Sequence, residues 1–273
     1  EIIPKMIAAI NGELDMPVIA TDGTDKVTLT AKHKGTTGND LIIELLGQPQ
    51  GVVFTVGTMT GGLVDPDIDE ALAQIGDVWE TIAINGLGEI AHDKLLAFVE
   101  GRWNQLVVKP FTAYYGSSET DETVLKTYTE GRKFDRANGV IPCPGSTSAP
   151  WIIAAIGVGR IANQANNHPA KEYRNLRLES VVPGKDGEQW NYDERDLAWK
   201  AGVSSTQIIS GAHCLDNTMS FWHPDGQPKP YFGKQVYHTK LYNVIFNVNL
   251  IINSDEWAQA SLIPDHQVSS SPD

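Results

Sequence analysis

The chain has 273 residues, 41% of them hydrophobic, enough to bury the core of one large domain or two small ones. Its 34 acidic residues against 21 basic ones leave a net charge of −13, which argues against a nucleic-acid backbone or an anionic membrane surface as partner. No apolar run reaches the ~18 residues of a membrane span, and Glu1-Ile2-Ile3-Pro4 offers no basic stretch of a signal peptide.

The absence of an initial methionine suggests a processed or truncated piece of a longer protein, and Ser269-Ser270-Ser271-Pro272-Asp273 reads as a frayed end. Cys143 and Cys214 give no disulfide framework and read as reduced thiols of a cytosolic protein. Residues 1–60 read as a small β-rich, barrel-like domain. Asp22-Gly23 is a turn signal, and residues 26–34, 41–46 and 52–56 carry the Thr, Val and Ile content of strands. Gly35-Thr36-Thr37-Gly38-Asn39-Asp40 is a loop, and the glycines and threonines of 57–62 mark a domain boundary.

From Asp65 to Asn167 the pattern alternates helix and strand. Asp65 is suited to cap a helix and Pro66 to begin it, with Ile68, Ala71, Leu72 and Ile75 on one face and Gly76 as the stop. Residues 78–84, 107–115 and 140–143 read as strands. Helices are predicted between them, on the stripes Ala91, Leu95, Phe98, Val99 and Val124, Leu125, Tyr128. Residues 150–166 form a long helix, apolar almost all round, that is expected to be buried on most faces. Such alternation implies a largely parallel sheet with helices on its faces: an α/β sheet domain, α+β overall once the β-rich start is included.

Beyond it, Leu176–Arg177 and Val181-Val182 read as extended. Asn191 and Glu194 form a capping box for a helix that ends at Gly202, and residues 203–209 form a strand. Trp222-His223-Pro224-Asp225-Gly226 is a turn. Residues 240–252 alternate Leu241, Val244, Phe246, Val248 and Leu250 with asparagines, so the region of about 205–255 is expected to be β-rich within a second domain spanning 61–273.

Each candidate for chemistry is incomplete. Gly35-x-x-Gly38 lacks the Gly-Lys-Ser/Thr ending of a phosphate loop. Asn85-Gly86-Leu87-Gly88 has two glycines of a dinucleotide fingerprint, with Ala91 in the third place and no acidic residue closing the next strand. The seven histidines show no ligand spacing and read as scattered surface residues, with His213 beside Cys214 the closest grouping. Gly116-Ser117-Ser118 lacks the closing glycine of a nucleophile elbow, and its serines are placed to cap the helix near Asp121. The acids of Asp193–Asp196 suit the positive end of a helix dipole. Cys143 sits at the C-terminal end of a strand, where α/β enzymes place their sites, and is the alternative to a purely structural reading: a hydrolase or transferase nucleophile with a lowered pKa and a base in reach. The reading names no catalytic, cofactor-binding or metal residue, and no cofactor.

Several segments, in order, resemble the contractile-tail sheath proteins of myophages, especially the Mu-like type and its giant-phage relatives. They are Gly35-Thr36-Thr37-Gly38-Asn39-Asp40; the run Asp67 to Ile84; Arg102-Trp103, the next strand and Gly116; the proline-led helix from Ala149-Pro150-Trp151-Ile152 to Ala162; Asn175-Leu176-Arg177-Leu178 with Val182-Pro183-Gly184; and Glu194-Arg195-Asp196 through Ala201-Gly202-Val203-Ser204-Ser205. Pro110 inside the second α/β strand, Thr218-Met219-Ser220-Phe221-Trp222 where Mu-like members are threonine-rich, and Cys143 depart from the pattern. The resemblance implies a virion component assembled in the host cytoplasm. It implies hexameric rings of copies stacked around a tail tube protein above a baseplate, and contraction that drives the tube through the host envelope without a nucleotide. It also implies that the family's C-terminal, tube-facing domain lies outside this chain. A bacterial contractile injection device is the remaining variant of the same reading.

Overall fold

The computed structural model describes residues 2–47, 50–104, 107–227 and 230–254. The serine-rich end, read above as frayed, and His266, one of the seven histidines, lie outside them.

The core of the fold is a three-stranded parallel sheet in the order β3 (Ile82–Ile84), β4 (Thr112–Ser117), β5 (Asn138–Pro142). The helices α2 (Asp69–Ile75), α3 (His92–Arg102), α4 (Glu122–Glu130) and α5 (Pro150–Asn167) alternate with the strands in the predicted order. The period-2 alternation of β4 assigns its two faces. Tyr114 joins Ile141, Ile153, Val158 and Ile161 in the core under α5. Ala113 packs with Leu95 and Val99 of α3, and Tyr115 with Leu125 of α4. This mixed helix-and-sheet architecture is the α/β class expected.

Local details depart from expectation for physical reasons. Asp65 does not cap α2; the helix starts at Asp69, and Asp65 instead accepts hydrogen bonds from the Thr36 amide (2.6 Å) and hydroxyl. Pro110 lies ahead of β4, not inside it, so its missing N–H costs the ladder nothing. Asp121, not Ser117 or Ser118, caps α4, accepting from the Thr123 amide at 2.9 Å. The long helix α5 is buried on one stripe only, through Ile153, Ala154, Gly157, Val158 and Ile161, while Ile152 stays exposed. The sheet beneath it is too narrow to enclose an 18-residue helix.

Residues 1–60 are less β-rich than their composition suggests. α1 (Ile2–Gly12) was not foreseen, and an antiparallel hairpin of β1 (Val18–Asp22) and β2 (Val27–Ala31) follows it. Residues 41–46 and 52–56 form no strand and no barrel closes among the described residues. Composition favours strands at both stretches, but a strand needs a ladder partner, and the structure supplies none.

The capping box of α6 (Tyr192–Lys200) is formed as read, with Glu194 N donating to Asn191 Oδ1 and Asn191 N to Glu194 Oε2. A second sheet, ordered β6 (Leu176–Arg177), β8 (Ala212–Asn217), β7 (Ser205–Ile209), follows and is antiparallel throughout. The expected late β region ends there. After the short α7 (Pro230–Gly233), residues Gln235–Ile252 form one helix, α8. Its inward side is Gln235, Val236, His238 and Tyr242, a helical spacing that the partial alternation further along disguised.

Candidate assembly surface

The C-terminal edge of the sheet is where α/β enzymes place their sites. The Asn85 side chain accepts from Leu87 N and donates to Gly88 O, so the glycine-bearing turn is held by its own asparagine. The Gly35 loop is likewise a clasp: Thr36 holds Asp65, and Asn39 pairs both ways with the backbone of Gly62.

Cys143 is fully buried, and burial pushes its thiol well up, the reverse of an activated nucleophile. The fold does bring a histidine near it. His213 Nε2 accepts from Gly184 N at 3.2 Å, which leaves Nδ1 to donate to Thr206 Oγ1 at 3.3 Å. The Thr206 hydroxyl in turn donates to Pro142 O at 2.7 Å. Both ring nitrogens are thereby used in bracing, and desolvation holds the imidazole neutral, with its pKa lowered to about 4. A cysteine raised and a histidine lowered cannot form a thiolate–imidazolium pair.

The remaining histidines correct the surface reading. His92, His213, His223 and His238 are all buried. His238 Nε2 donates to Phe232 O (2.9 Å) and Nδ1 accepts from Thr112 (2.9 Å), pinning α8 to β4. His92 shares a 2.6 Å hydrogen bond with the Tyr128 hydroxyl and packs against Tyr115 and Phe221. The sequence signal was only that each sits beside apolar or aromatic residues. No cluster of three metal-ligating side chains exists among the described residues.

Arg102 is also structural. Its guanidinium donates to the carbonyls of Lys109 (2.7 Å), Gly76 (2.9 Å) and Val78 (2.6 Å), joining the end of α2 to the approaches of β3 and β4. Arg136 stacks 4.4 Å over the Trp103 ring and forks onto Glu100. The Arg102-Trp103 dipeptide is therefore a junction of the scaffold.

What the molecule leaves open is apolar surface at two places. α1 has no buried residue although Ile3, Met6 and Ile10 line one of its sides. With β2, residues 43–45 and residues 52–59 it lines an open groove of about 750 Å³ that includes Leu29 and Ile43. At the other place, the second half of α8 projects Val244, Val248 and Ile251 at 59%, 45% and 55% exposure, with Ile252 beside them and half-exposed Phe246 and Leu250 on the opposite side of the helix. Single exposed apolar residues are ordinary, but contiguous ones mark contact surfaces. Sequence reasoning missed both, although α8 announces itself by carrying one charge, Lys240, in eighteen residues.

Comparison with known proteins bears on this distribution. The chain is 26% identical over 216 residues to the Mu-like prophage FluMu tail sheath protein of Haemophilus influenzae. The likeness is to the tail sheath family. The match takes in 77% of this chain and 43% of the relative, so the chain spans less than half the length of the curated relative it matches. No family model matches the chain. Among solved structures, the sheath tail protein of Desulfitobacterium hafniense aligns with a TM-score of 0.47 at 11% identity, covering 89% of this chain and 60% of that one. The sheath tail protein of Listeria innocua aligns with a TM-score of 0.44 at 10% identity, covering 85% and 52%. In this sheath-like chain, the motifs that carried the resemblance fall on clasps, caps and packing junctions.

Proposed function

We propose that the chain is the structural subunit, or a large part of it, of a contractile tail sheath. Copies polymerise as hexameric rings around a tail tube above a baseplate, and the assembly shortens to drive the tube through the host envelope. It works as a virion component put together in the host cytoplasm, with no nucleotide, metal or catalytic residue of its own. The division near residue 60 into a small N-terminal unit and a larger α/β unit belongs to the same proposal. It is supported by the separate apolar cluster of Val18 and Leu41 with Ile10, Leu29, Ala31 and Met59, while the Thr36–Asp65 and Asn39–Gly62 clasps hold the two units together.

The observation that carries the reading is the 26% identity to a tail sheath protein over 216 residues. The buried, deactivated Cys143 weighs against the nucleophile alternative in the same chain. Electron microscopy of the full-length protein tests the proposal. Tubular polymers that shorten and widen on triggering are expected; a protein that forms no tubes under any condition and binds no tail tube would end it.

A further inference from the structure

We infer that copies of this chain join head to tail, the outer half of α8 in one copy seating in the groove between α1, β2 and residues 43–45 and 52–59 of the next. The inference rests on the sheath reading only in that both require copies to associate.

The two surfaces complement each other in shape. One is a convex helix whose exposed stripe, Val244, Val248 and Ile251, has the i, i+4, i+7 spacing of a helix entering a groove. The other is a concavity lined by Ile3, Met6, Ile10, Leu29, Ile43 and Val53. They also fit in charge. Two copies at −13 each repel, so a stable contact must form where acids are sparse. Neither α1 nor α8 contains an Asp or Glu. Of the groove's charged residues, Glu44 is already paired with Lys185 at 2.6 Å, leaving Asp25 and Lys26 to offset one another.

Within one chain the two surfaces are carried on different parts of α5. The N-terminal unit rests on the start of α5, where His33 packs on Trp151 with ring centroids 5.0 Å apart and Ala149 joins Val18 and Leu41. α8 rests on the other end of α5, sharing a cleft with Ile161 and Ala165, and on Trp79 ahead of β3. Those contacts, at residues 149–151 and 161–165, are separated by about 15–24 Å along the helix. Knob and socket on opposite ends of a molecule make a heterologous contact, which propagates where a two-fold contact would close on itself.

The test is sedimentation velocity and light scattering on the 273-residue chain and two variants, V248D on α8 and V53D on the groove. Both positions are exposed, so the fold should survive, which circular dichroism verifies. The wild type should associate in an open-ended, concentration-dependent series. Each variant alone should be weakened by roughly tenfold or more. Mixed together they should form a dimer of one of each and stop, because V248D brings an intact groove and V53D an intact helix. A wild type that stays monomeric to about 1 mM would overturn the inference. So would a V53D chain that self-associates like the wild type, since α8 would then be meeting α8 or another segment. The full-length protein separates the two readings. Tubes unaffected by either substitution would remove this contact and leave the sheath role standing; a mixed dimer without any tubes would do the reverse.

Discussion

At the residue scale, the molecule spends its polar side chains on bracing. The buried histidines make that bracing sensitive to acid. Desolvation lowers the pKa of His92 to about 3 and those of His213 and His238 to about 4, from an ordinary 6.5. The folded chain therefore holds all three neutral, and the unfolded chain takes up protons first as the pH falls. Their stabilisation is complete well above pH 6.5 and drains away as the pH falls through it, down to about 4 for His213 and His238 and about 3 for His92, below which the folded state also titrates. At about 1.4 kcal/mol per pKa unit, His213 and His238 each lose about 3 kcal/mol by pH 4. Asp135 and Glu89, raised by burial above the usual carboxylate range, work in the opposite direction at the acid end and offset part of the loss. Thermal melts followed by circular dichroism should show Tm falling steadily from pH 7 to pH 4. A Tm that stays level across that range would contradict this account.

At the element scale, the glycines distinguish positions that sequence treats alike. Gly116 in β4 lies where an added Cβ would stand 2.1 Å from Pro150 O and 2.7 Å from Ile153 Cβ, so α5 packs directly onto the strand there. Gly159, on the outer side of α5, has nothing within 4 Å. Gly116→Ala should destabilise by about 3 kcal/mol, because backbone and not a movable side-chain tip must give way. Gly159→Ala should stabilise by up to ~1 kcal/mol from helix propensity. Urea midpoints moving in opposite directions verify the pair, and a neutral Gly116→Ala would refute the close packing. The contrast also shows why the sequence was legible in places. Helix and strand order from Asp65 to Asn167 could be read because periodicity and Gly/Pro punctuation agree throughout that stretch. The capping box at Asn191 could be read because its chemistry is local. α8 could not: five apolar residues at 241, 244, 246, 248 and 250 satisfy a strand template in part, while the choice was made by distant partners, Thr112 and Gln235–Tyr114 among them. The strands expected at 41–46 and 52–56 failed for the converse reason, since local preference met no partner. The open surfaces were invisible because exposure of an apolar residue is a property of the packed molecule.

At the scale of the whole molecule, two forces act on neighbouring copies and they respond oppositely to solution conditions. In the proposed contact, apolar faces such as the second half of α8 draw copies together, an attraction that depends little on moderate salt. The −13 charge on each copy pushes them apart at every approach. That repulsion is screened over ~30 Å at 0.01 M ionic strength and ~8 Å at 0.15 M. Part of the basic complement is already spent within the chain: Arg136, Arg132 and Arg160 are engaged with Glu100, Asp93 and Glu179. Association should therefore strengthen as salt rises from 0.01 M toward 0.5 M, and again as the pH approaches the isoelectric point of about 4.9, as far as the acid-sensitive histidines allow. Light scattering across a salt series at pH 7.5 is the direct measurement, with the apparent association constant rising at each step. If assemblies instead fell apart with added salt, ion pairs between copies would be holding them, and the apolar faces of α1 and α8 would not be the joints.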